Sequence, residues 1–211
     1  MQSTISELTL RGSLFLSFLL ATIASPLSFA EDKNRLQQSC TYNEKAMMEL
    51  SPREFDQNFE NGWRVVAKNN DCLEVAANLI RTYYTTNEVS AGAKRTFVWH
   101  EGQLRAEIGQ YRQAIQLMEQ AEKPVQRDIS GWNHYVAATI AFLQSDMEKL
   151  RIHREKLAAV PKPENFNPKD ADGNPIEIDW PLNLNIVDKF ISCFGQTSAE
   201  VYSGCTEERQ P

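Results

Sequence analysis

Three histidines, four cysteines and one acidic run are this chain's candidates for chemistry. His100-Glu101-Gly102 begins like the helical motif that holds a catalytic zinc, which needs a second histidine one turn after the first. Leu104 stands there instead, so the ligand set is incomplete. His100 reads as a half-buried helix residue, as does His134 between Trp132 and Tyr135, and His153 falls on a charged face. Asp170-x-Asp172-Gly173 resembles part of a calcium loop, but Pro168 and Asp179 replace ligands that loop requires. Turn chemistry accounts for Asp172-Gly173-Asn174-Pro175 without a metal. No nucleophile elbow, phosphate loop or dinucleotide fingerprint is present. No catalytic residue, metal or cofactor is therefore expected. A hydrolase would have to draw on Asp170, Asp172 and Glu177, and would need a strongly shifted pKa among them.

The cysteines are Cys40, Cys72, Cys193 and Cys205. Their spacings fit neither a zinc ribbon nor a redox Cys-x-x-Cys pair. Of the three pairings open to four cysteines, Cys40–Cys72 and Cys193–Cys205 are preferred because each staples a local stretch. Disulfides need an oxidising compartment, and the N-terminus supplies a route to one. Arg11, an apolar stretch over 14–24 and the small-residue site Ser28-Phe29-Ala30 make residues 1–30 an expected cleavable signal peptide. The apolar stretch is shorter than the about 20 residues of a membrane span. A periplasmic or secreted chain, without an integral membrane segment once processed, is the expectation. With 28 acidic against 22 basic residues, well mixed, the net charge of −6 leaves no basic patch for nucleic acid.

These side chains sit on helices. Ser51-Pro52-Arg53-Glu54 is a helix start, with a serine cap, proline at the first helical position and glutamate three residues after the cap. The helix that follows would carry Phe55, Phe59, Trp63 and Val66 on one side. Further helices are expected over 72–84, 91–108, 111–122 and 132–143. Ser145-Asp146-Met147-Glu148 reads as another capping box, opening a helix that runs to Ala159. No stretch sustains the alternation of a strand. The segment 161–181 is rich in proline and turn dipeptides, and reads as a strap that Phe166 and Trp180 would anchor. A last helix over 185–194 and the second disulfide would then cap the array.

The breaks at Asn70, Gly109 and Ser145 are 39 and 36 residues apart, a helix-turn-helix in each interval. Gly102, Gly109, Tyr111, Ala114 and Ala121 follow a pattern that resembles the tetratricopeptide repeat. In that pattern a small residue lets two helices approach, a glycine makes the turn, and alanines make room for the next unit. The match covers about one unit; Ala138, Leu150 and Leu157 in the next, and Ala76-Ala77 in the previous, follow it more loosely. Glu101 and Arg105 depart from it, standing where the family has leucine and an aromatic. The resemblance implies an all-α, right-handed stack of about three antiparallel hairpins over 31–160, with the strap, capping helix and disulfide-closed end in 161–211. It also implies an inner wall built by the first helix of each hairpin. By that analogy Arg64, Trp99, Gln103, Asn133 and Tyr135 are the candidate partner-binding residues, although Trp63, Trp99 and Trp132 would serve equally as filling between hairpins. The function expected is an exported non-enzymatic scaffold or adaptor for a protein or peptide. The alternative is a periplasmic inhibitor or immunity protein that blocks a toxin.

Overall fold

Capping chemistry sets where the helices start. The computed structural model describes residues 40–170 and 172–205; the expected signal peptide 1–30 and residues 206–211 lie outside the described residues. The regular structure described is helical: α1 (Glu44–Met48), α2 (Pro52–Gln57), α3 (Trp63–Ala67), α4 (Leu73–Thr86), α5 (Ala91–Glu107), α6 (Tyr111–Glu119), α7 (Trp132–Leu143), α8 (Met147–Ala158), α9 (Leu184–Ser192) and α10 (Ser198–Ser203). One isolated bridge, Lys169 to Pro175, lies in the strap. The chain is all-α.

Ser51 and Glu54 form the expected reciprocal box at the start of α2, and Ser90 caps α5. Two starts differ from the sequence reading. At α8 the cap is Asp146, which accepts from the Lys149 amide at 3.0 Å, while Ser145 is displaced into a positive-φ turn. The helix expected to run from Pro52 past Val66 is two helices. Gly62, at φ +66°, packs so tightly on the Phe55 backbone that a Cβ there would overlap the Phe55 carbonyl. The chain must turn at that point, and Phe59 is left exposed in the connection. Helix α10 was not expected, although Thr197-Ser198-Ala199-Glu200 carries the capping-box signal that opens it.

Consecutive helices pack on one another: α4 on α5, α5 on α6 and α7 on α8. Gly102 shows why α5 and α6 come close. A Cβ there would lie 3.1 Å from Met118 Cγ and 3.3 Å from the Ala114 carbonyl, so a larger side chain would push the helices apart. Gly109, at φ +76°, makes the turn between them. Helix α9 covers α7 and α8, with Phe190 stacked on Phe142, and α10 reaches back to α5. Disulfides join Cys40 to Cys72 and Cys193 to Cys205, tying α1 to the start of α4 and α10 to the end of α9. In the strap, Phe166 packs edge-on against Trp180, whose indole donates to the Val160 carbonyl at 2.9 Å.

Helix α5 lies between two cores. Phe97 and Leu104 enter one with α2 to α4; Val98, Trp99 and Ala106 enter the other with α6 to α9. On its α4 side it carries a fully buried carboxylate. Glu101 accepts from Arg81 at 2.9 Å, from Arg105 at 3.3 Å and from the Tyr84 hydroxyl at 2.8 Å. Arg105, itself buried, also donates to Asn78 at 2.6 Å and Gln110 at 2.8 Å. The two departures from the repeat pattern are thus partners. Burial, the hydrogen bond and the charge of Glu101 push the Tyr84 hydroxyl up to about 12, partly offset by Arg81.

Two outcomes follow from this network. Glu101→Ala strands the Arg105 charge in the core and should lower the unfolding free energy by about 3–5 kcal/mol, whereas the paired change Glu101→Leu/Arg105→Met should recover most of it, because an apolar pair replaces an ion pair at little cost. Urea titrations of the three proteins would measure this. The Tyr84 contribution should be fully present below pH 10, its unfolded value, and be lost as pH rises through about 12. Tyr84→Phe should therefore flatten the alkaline limb of a stability profile.

Candidate functional site

Trp99 of α5 meets Trp132 and Tyr135 of α7, with ring centroids 4.8 and 5.1 Å away. Local hydrogen bonds hold this cluster. Both carboxylate oxygens of Asp128 accept from the first α7 amides, those of Trp132 and Asn133, at 2.7 and 2.8 Å. The Asn133 side chain returns to both backbone groups of Lys123, at 2.8 Å each, closing the loop between α6 and α7. The Trp132 indole donates to the Ala121 carbonyl at 2.8 Å. The clasp leaves the Lys123 ammonium over the Trp132 ring, 5.4 Å from its centroid.

Beside this cluster opens a cavity of about 610 Å³, a size that suits a side chain or small organic group. Helix α5 contributes Arg95, Thr96, Trp99, His100 and Gln103, one face of three successive turns. Trp132 and Tyr135 come from α7, Lys123 from the clasped loop, Gln57 from α2 and Asn183 from the end of the strap.

His100 is held from behind. Its Nδ1 donates to Oδ1 of the buried Asp56 at 2.6 Å, and the Trp63 indole donates to the same oxygen at 3.0 Å. The Gln57 amide bonds to Oδ2. Burial alone would raise the Asp56 pKa, but these bonds and the histidine charge together bring it below the ordinary carboxylate value. With Nδ1 fixed, Nε2 is the ring nitrogen left for the cavity. The Tyr202 hydroxyl of α10 is a hydrogen-bond partner of Tyr135 and Gln103, two of the lining residues. Desolvation first, then the Tyr202 contact, raises the Tyr135 pKa well above its ordinary value. Tyr202 is 40 % exposed as a residue, and desolvation raises its pKa, partly offset by the hydrogen bonds with Tyr135 and Gln103.

Of the five sequence candidates, Trp99, Gln103 and Tyr135 line this cavity together. Arg64 and Asn133 do not. The Arg64 guanidinium stacks on Trp63 and Phe59 and donates to the Asp56 carbonyl; Asn133 is the loop clasp. Trp99 is only 4 % exposed, so it is a wall of the cavity and core filling at once. Sequence reading passed over Asp56, Gln57, Arg95, Lys123, Asn183 and Tyr202. Only the four-residue steps from Arg95 through Trp99 to Gln103 were visible as a helix face; Asp56 and His100 are 44 residues apart and nothing local links them.

The other motifs do not assemble. Asp170 accepts from the Asp172 and Asn174 amides at 3.0 and 2.8 Å, turn bonding with no ligand set around it. His134 and His153 face each other at 5.7 Å, and burial, His134 and two lysines lower the His153 pKa. Among the described residues no three His, Cys, Asp or Glu side chains are grouped to hold a metal ion, and no helix is long and apolar enough to cross a membrane. No family model matches the chain, and neither a curated protein nor a solved structure matches it.

The Asp56 carboxylate ties α2, α3 and α5 together, and its depressed pKa fixes the sign of a pH effect. Its stabilisation should be fully present above about pH 4 and be lost as pH falls through the lower folded value. Asp56→Asn should cost about 1–3 kcal/mol at neutral pH and flatten the acid limb below about pH 4, as read by unfolding at a series of pH values.

Proposed function

We propose that the chain is an exported, non-enzymatic scaffold or adaptor that binds a protein or peptide through the wall shared by α5 and α7. Helices α3 and α4, α5 and α6, and α7 and α8 are read as three hairpins stacked in a right-handed, tetratricopeptide-like sense, so that α5 and α7 are neighbouring first helices. The close approach at Gly102 and the turn at Gly109 support this reading. So do α9 and its disulfide, which cover the last pair where a repeat array needs a cap. Two disulfides favour an oxidising compartment, and with it export to the periplasm or beyond.

A single observation carries the proposal: the cavity between α5 and α7, where Trp99, Gln103 and Tyr135 converge with aromatic and amide chemistry. Rigid aromatic walls with a few polar groups are how proteins anchor a partner's side chain. An Asp–His pair also borders the cavity, but no serine or cysteine lines it to act as a nucleophile.

Capture from an envelope extract by the processed chain, compared with Gln57→Ala/Gln103→Ala, tests the reading. Both glutamines lie at the cavity and outside the aromatic core, so circular dichroism should be unchanged. A protein retained by the parent and lost with the double variant is the expected result; equal recovery by both would end the proposal.

A further inference from the structure

On an acidic chain this cavity has an unusual charge. Its lining holds Arg95 and Lys123 together with His100, and no carboxylate. Among the described residues neither Arg95 nor Lys123 has an acidic group within ion-pair distance, although six other basic side chains do: Lys68, Arg81, His100, Arg105, Lys149 and Arg154. Behind the lining, the Asp56 carboxylate is taken up by His100, Trp63 and Gln57, and that of Asp128 by the Trp132 and Asn133 amides. Two unpaired cations at one concavity, beside an oriented imidazole, are complementary to an anion.

Exposed apolar residues follow two of the lining residues closely along the chain. Phe59 follows Gln57 by two positions and is 67 % exposed; Val125 follows Lys123 by two and is 81 % exposed, with Ile129 beyond it at 71 %. Gln57 and Lys123 both line the cavity, so Phe59 and Val125 each stand two positions along the chain from a lining residue. A chain crossing the cavity would rest apolar side chains on each border and lower one side chain between them.

We propose that the cavity receives the side-chain carboxylate of an internal aspartate or glutamate in the partner, flanked on both sides by apolar residues. This deepens the scaffold reading and rests on it. Arg95 and Lys123 supply the charge, Gln103 lies within the same lining to donate its side-chain amide to the carboxylate, and Trp99, Trp132 and Tyr135 exclude water around it.

The test is a randomised nonapeptide library, acetylated at one end and amidated at the other so that only side chains carry charge, panned on the processed chain. The expected outcome is a fixed acidic position between apolar ones. Affinity of a selected peptide should fall at least about tenfold in Arg95→Gln/Lys123→Gln and stay level in Arg151→Gln/Lys156→Gln, which removes two exposed charges outside the cavity. Selected peptides without an acidic position would overturn the inference and leave the scaffold reading standing. Equal losses in both double variants would reduce the effect to bulk charge and overturn it. Peptides retained only when the C-terminal carboxylate is left free would move the anion to a chain end, again overturning it. Retention of no peptide, together with equal protein capture by the Gln57→Ala/Gln103→Ala variant, would remove both.

Discussion

Glu101 is a carboxylate with no water, in the middle of the longest helix described. Such a group survives only where its charge is met on several sides. Arg105 meets it from the same helix, and Arg81 and Tyr84 meet it from α4. The contact therefore ties the rotation of α4 to that of α5, since Arg81 and Tyr84 must face Glu101 to reach it. Once α5 is fixed about its axis, its opposite side is fixed too. That is the side on which Trp99 enters the second core and Gly102 admits α6.

The cavity is a consequence of this placement. Its α5 residues occupy one face because of helical spacing, and they face α7 because the Asp128 and Asn133 bonds hold the start of α7 beside them. Asp56 joins the first core to the cavity by holding both Trp63 and His100. Tyr202 backs two lining residues, Tyr135 and Gln103, and the Cys193–Cys205 bond ties the end of its helix to α9. Two covalent ties and two buried carboxylates thus account for much of the rigidity around one concave surface.

Glycine also has two separate roles here. Gly102 is required for its lack of volume, at a helix contact where its φ is ordinary. Gly62 and Gly109 are required for their backbone, one at a tight return against Phe55 and one at a helix turn. Reading the seven-residue interval between Gly102 and Gly109 as a packing device and a turn device agrees with both positions.

Much of this was legible in local pattern. Helix-favouring runs, the Ser51 cap, the turn at Gly109, and the nearness in sequence of the paired cysteines are short-range properties, and short-range physics decides them. The helical face running through Trp99 and Gln103 belongs to the same class. What pattern could not supply was any contact between groups far apart along the chain. The break at Gly62 depends on how the Phe55 backbone folds back. The Glu101 network looked like a fault in the repeat until Arg81 and Tyr84 were placed beside it. The cavity's charge became visible only when α2, α5, the α6–α7 loop and the strap met, because which cations lack a carboxylate is decided by tertiary packing and by nothing in the local sequence.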